Sequence, residues 1–141
     1  MVKKFQSIIE NIVDRDISLT DVFAYFEKFD KERQMLIAIS FKFENTLLQI
    51  KAEDDDSISI HSENQFDCEK NIYQFDLANL EFWKAYLGKP LLWSWTMFNN
   101  FGYFDGIQLE FVESTKIQLL ACGSEIKINC VIAPSTNVLG V

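Results

Sequence analysis

The chain reads as an α+β fold: an antiparallel, mostly meander-connected sheet of about seven strands with two helices, at 3–14 and 76–87. Three observations predict it. Most of the chain alternates apolar and polar residues with period two, the mark of strands buried on one face. The connections between these segments are too short for parallel crossovers, so neighbouring strands must run antiparallel. Two stretches instead carry the three-and-four spacing of an amphipathic helix.

Each element follows in order. Phe5, Ile8, Ile9, Ile12 and Val13 form one apolar stripe, which makes 3–14 a helix. Lys3 and Lys4 sit at its start, where the helix dipole disfavours them. Segment 18–29 fits either a capped helix (Ser18, Asp21, then Val22, Tyr25, Phe26 and Phe29) or a strand. Strand is the better reading, because β-formers are dense and Asp30-Lys31 looks like a turn. Ile37, Ile39, Phe41 and Phe43 then alternate cleanly, as do Thr46, Leu48, Ile50 and Ala52 after the Glu44-Asn45 turn. The acidic turn Glu53–Asp56 leads to Ile58 and Ile60, and 62–75 reads as a polar loop.

The second helix is well punctuated. Asp76 is its cap, Leu77, Leu80, Trp83 and Leu87 its face, Gly88 its stop, and Pro90 prevents continuation. Leu91, Trp93, Trp95 and Met97 share a strand face beyond it. Asn99, Asn100 and Gly102 break that strand, and Asp105-Gly106 is a second turn signal. Ile107, Leu109 and Phe111 alternate next. Strands at 116–122 and 125–132 follow, joined at Gly123-Ser124. The whole is one domain: a helix at 1–16, a sheet-containing core at 17–132, and a loosely held tail at 133–141.

Composition narrows the class. The chain has 141 residues, 48% of them hydrophobic, which suits a single packed domain and excludes intrinsic disorder. Its net charge of -8 repels phosphate backbones, so nucleic acid is not an expected partner, whereas a basic protein is. Cys68, Cys122 and Cys130 have neither disulfide-framework nor zinc-site spacing, and the last two lie in apolar strand patterns as small hydrophobes. The N-terminal apolar stretch is interrupted by Glu10 and Asn11 and followed by charge, and no apolar run approaches a membrane span, which points to the cytoplasm and away from membranes.

One run stands out: Gly88, Leu92-Trp93-Ser94-Trp95, Asn99, Gly102-Tyr103, Asp105-Gly106 and Gln108. This arrangement resembles a family of small bacterial proteins of unknown function, domain-of-unknown-function family 6334. Leu19, Val22, the Phe41–Phe43 strand and the Asp54-Asp55-Asp56 turn are similar to it as well. The resemblance spans residues 17–132 and leaves the N-terminal helix outside. It implies a shared fold and no activity.

The candidate sites each have a plain structural alternative. Trp93 and Trp95 would form an aromatic platform if exposed, but amphipathic sheets turn their largest apolar residues inward, so burial is expected. Asn99, Tyr103, Asp105 and Gln108 could converge as a recognition pocket, although Asn and Asp are also ordinary turn-formers. Glu53, Asp54, Asp55 and Asp56 form an acidic patch suited to a basic protein. They lack the ligand spacing of a calcium loop, so a solvated turn is the plain reading. His61 is the single histidine and reads as exposed. No metal site, cofactor motif or catalytic signature is present.

The sequence therefore favours a non-catalytic binding protein, immunity-like in one concrete form, engaging a basic partner through an acidic surface. A small-ligand enzyme with its site at the Asn99–Gln108 turn and a structural oligomerisation module are the alternatives. Two helices cover only part of the sheet, so curling or a homodimer must cover the rest.

Overall fold

Alternating residues become strands over most of the chain. The computed structural model describes residues 2–66, 71–112 and 115–132. Cys68 and the tail at 133–141 lie outside the described residues. The elements are α1 (Val2–Asp14), β1 (Leu19–Lys28), β2 (Gln34–Phe43), β3 (Thr46–Ala52), β4 (Ile58–His61) and β5 (Ile72–Asp76). They continue with α2 (Glu81–Lys84), β6 (Trp93–Phe98), β7 (Phe104–Val112), β8 (Thr115–Cys122) and β9 (Glu125–Ile132).

The architecture is broadly α+β and mostly antiparallel, but the expected single sheet of about seven strands is two sheets, of five and four strands among the described residues. One has the order β4-β3-β2-β1-β5, the other β6-β7-β8-β9. The physical reason is burial. Two short helices cannot cover an apolar sheet face, and a second sheet can. Ile39, Phe41, Ile50 and Ile60 of the first sheet share one core with Ile107, Leu109, Ile117 and Leu119 of the second. The Phe43 and Phe111 rings stack across it, with centroids 5.9 Å apart.

Segment 18–29 is strand β1, paired with β2 from Leu19↔Phe43 to Lys28↔Gln34. The supposed loop at 62–75 contains an extra strand, β5, at the far edge from β4. Its Tyr73 and Phe75 are exposed, so it lacks the inward apolar row that marks a strand in sequence. Residues 62–66, on the way from β4 to β5, lie on the face of the first sheet turned away from the second. Buried Gln49 holds them there: its Nε2 donates to Ser40 Oγ (2.8 Å) and Asn64 Oδ1 (3.2 Å), and its Oε1 accepts from the Gln65 amide. Phe66 then packs with Tyr25, Ile37 and Ala38 as a small second core.

α1 forms with Phe5, Ile8 and Ile12 buried and Ile9 half-buried, but Val13, the last member of the expected stripe, is 41% exposed. The helix expected at 76–87 shrinks to the single turn Glu81–Lys84. Asp76 ends β5, and its Oδ1 accepts the Ala78 amide at 2.8 Å, which turns the chain locally instead of capping a helix. Leu80 N–H to Leu77 C=O and Tyr86 N–H to Trp83 C=O are three-residue turns, so the same apolar spacing is met without a long helix. Trp83 and Tyr86 close one part of the core, packing on Phe41 and Phe111. Gly88 takes the left-handed conformation expected of it (φ 80°).

Candidate functional site

The edge strand β6 is built from an alternation whose phase slips once. Leu91 is buried, whereas Trp93, two residues on, is 65% exposed. The Leu92 amide donates to the Glu110 carbonyl (2.8 Å), and Trp93 is itself the cross-strand partner of Glu110. Two residues therefore face one, a β-bulge, and the side chains beyond it change faces. Trp93 and Trp95 consequently point away from the core, against the expectation of burial. Ser94 and Thr96 instead pair with the core residues Leu109 and Ile107.

On that outer face Trp95 lies opposite Gln108, whose Oε1 accepts from Gln118 Nε2 at 2.8 Å. Lys116 Nζ stands 5.8 Å from the Trp95 ring centroid and 3.6 Å from Glu110 Oε1. Met97 lies opposite Gly106, where a Cβ would meet Leu120 Cδ2 at 2.7 Å. The absence of a side chain lets Met97 and Leu120 close over that position.

The β6–β7 connection is organised by Asn99. Its Oδ1 accepts the amides of Phe101 (2.8 Å) and Tyr103 (3.2 Å), while Gly102 (φ 85°) donates to its carbonyl. Tyr103 and Phe101 project into solvent, 53% and 78% exposed. Asp105-Gly106 is no turn, because both residues lie within β7. Met97 pairs with Gly106 and Phe98 with Phe104, which leaves Asp105 as the unpaired residue of a second bulge. The structure thus brings Asn99 to Tyr103 through the turn and Trp95 to Gln108 across the strands. The four polar candidates do not gather in one pocket.

The acidic patch sits at another place. Asp54, Asp55 and Asp56 are exposed at the β3–β4 turn, and Asp56 Oδ1 accepts the amide of Ser124 from the β8–β9 hairpin (3.2 Å). The Ser57 hydroxyl and amide bind Asp55 and hold its carboxyl below the usual value. Glu53 accepts the Ser59 hydroxyl proton. His61 Nε2 lies 2.8 Å from that same oxygen and so serves as the donor. His61 is part-buried on β4, not exposed as expected. Burial, then Lys4 and Lys51, hold its imidazole below the usual value. The acid touches the serine and not the imidazole, so these three residues do not have the order of a nucleophilic triad.

Beside this turn an open cleft of about 560 Å³ is lined by Glu27, Glu53 and Asp54 together with Met35, Phe66 and Lys51. Lys51 Nζ stands 5.5 Å from the Phe66 ring centroid. Sequence reading missed the cleft because its walls come from β1, β2, β3, the β4–β5 connection and the β8–β9 hairpin. It also missed the exposed rings of Phe98 and Phe101, for which aromatic density around Trp93 was the available signal.

Cys122 and Cys130 lie on strands as expected but are exposed, Cys122 as the last residue of β8 and Cys130 within β9. Burial, and then the neighbouring Cys130 thiol, push the Tyr86 phenol up to about 12. Among the described residues no three His, Cys, Asp or Glu side chains are grouped to hold a metal ion. None of their helices is long and apolar enough to cross a membrane.

No curated protein and no solved structure matches the chain. The family model described as a family of unknown function (DUF6334) matches residues 1–134. The match starts at the first residue, so it includes α1, which the resemblance had left outside. With a sheet core and an N-terminal helix both inside that match, the chain belongs to the DUF6334 family.

Proposed function

We propose that this is a non-catalytic binding protein that takes a basic partner protein at its acidic end. The observation that carries the reading is the cleft beside the Glu53–Asp56 turn. There, among the described residues, the carboxylates of Glu27, Glu53 and Asp54 stand with the ammonium of Lys51, next to the apolar surface of Phe66 and Met35. A partner's lysine or arginine suits such a surface, with its aliphatic stem on the apolar part and its charged head at the carboxylates. Asp55 and Asp56 extend the same field outward, and the net charge of -8 steers a basic protein towards it. An immunity-like protein that occludes a basic effector is one concrete form of this function. Turnover at the Asn99–Gln108 turn has less support, because the Asn99 side-chain acceptor is already engaged by its own turn.

The test is isothermal titration against any basic proteins found encoded beside it. The expected result is binding that weakens as salt is added, and that weakens about tenfold or more when Glu27→Gln and Asp54→Asn are combined. Binding indifferent to both salt and these substitutions would move the site elsewhere. No binding to any of those proteins would remove the function.

A further inference from the structure

The geometry points to β6 as a docking edge for a second copy of this chain, which pairs with it antiparallel about a two-fold axis. Such pairing joins two four-stranded sheets edge to edge. The proposal stands apart from the acidic cleft, which lies on other elements.

The first reason is the strand itself. β6 is an edge of its sheet, so one side of its backbone has no strand neighbour among the described residues. Sheet edges are ordinarily guarded against pairing by charge, proline or very short length. The six residues Trp93–Phe98, WSWTMF, carry no charge and no proline, and the two bulges lie towards the ends of the strand. The other three edges do carry guards. β4 has four residues. β5 ends on Asp76. β9 carries Glu125 and Lys127.

The second reason is area. Trp93, Trp95, Phe98, Phe101 and Tyr103 are 65%, 39%, 51%, 78% and 53% exposed. With whole side chains of 150–250 Å², that leaves on the order of 600 Å² of aromatic surface on one hairpin. A stable interface takes about 800 Å² from each partner, and the paired backbone edge supplies the remainder. Trp93 and Trp95 lie on one face of the sheet, and Phe98, whose ring is 5.5 Å from that of core residue Phe104, on the other. A strand added at the edge lies beside side chains of both faces, whereas a flat ligand on the indoles leaves Phe98 in water.

The third reason is charge. Two copies at a net charge of -8 repel each other over most of their surface. On the face beside β6, Lys116 and Glu110 pair with each other at 3.6 Å. Two-fold pairing then brings like surface to like surface where the like-charge penalty is smallest.

Sedimentation equilibrium of the full chain over about a hundredfold dilution tests the proposal. The expected result is a species of two 16.4 kDa chains that dissociates on dilution. Trp95→Lys, which sets two ammonium groups near the axis, should yield a monomer with an unchanged circular dichroism spectrum. Tyr73→Lys, on the β5 edge of the other sheet, should leave the dimer intact. If Trp95→Lys fails to fold, Trp93→Glu replaces it, since that side chain is the more exposed. A wild-type chain that stays monomeric throughout overturns the proposal, as does a dimer that survives the β6 substitution in a folded chain.

Discussion

At the scale of single residues, Asn99 does for the β6–β7 connection what a capping residue does for a helix. Its Oδ1 accepts two amides that the turn would otherwise leave to water. Asn99→Ala should therefore cost about 1 kcal/mol, read from the urea midpoint, while Asn99→Asp keeps the acceptor and most of the stability. Equal losses from both substitutions would show that the side-chain oxygen does not hold the turn. This much was legible in the sequence, because an Asx turn and a left-handed glycine are local chemistry. The direction of Trp93 was not legible. It depends on Leu92 and Trp93 both meeting Glu110, a residue of the neighbouring strand, and alternation fixes the period of a strand without fixing its phase across a bulge.

At the scale of elements, α1 is a structural part of the domain and not an appendage. Phe5 meets Phe104 of β7 with ring centroids 6.2 Å apart, and Ile8 and Ile12 join the same core. Phe5→Ala should cost about 3–5 kcal/mol in a thermal or urea melt, whereas Val13→Ala on the exposed side stays within about 0.5 kcal/mol. Similar losses at the two positions would contradict the packing. The stripe of α1 was readable because a helix face repeats within a few residues. The segment after Asp76 shows where that logic fails. Leu77, Trp83 and Tyr86 are buried there, while Leu80, a member of the same stripe, is 47% exposed. Successive turns tied to β1 by Leu77 N–H to Val22 C=O and Gly88 N–H to Leu19 C=O give a similar spacing to a helix. Nothing in the spacing alone separates the two.

At the scale of the whole molecule, the expected single sheet became two for the same reason that the indoles turned outward. Once the second sheet covers the first, its inner face is filled by Ile107, Leu109, Phe111, Ile117 and Leu119, and the indoles of the edge strand lie on the other side. The molecule then presents two unlike surfaces, an acidic end at the β3–β4 turn and an uncharged aromatic edge at β6. Composition gave the charge and the aromatic load. Only tertiary structure separates them in space, since Glu27, Asp54 and Ser124 meet at one cleft from distant parts of the chain.

The outward placement of the β6 indoles is tested by comparing Trp83→Ala with Trp93→Ala in urea unfolding, both made in the Trp95→Lys chain so that dimer dissociation does not enter. Trp83 is 4% exposed and Trp93 is 65% exposed. The structure predicts a loss of about 3–5 kcal/mol for Trp83→Ala and less than about 1 kcal/mol for Trp93→Ala. A loss at Trp93 equal to or greater than that at Trp83 would put the indole inside the core and contradict the two-sheet arrangement.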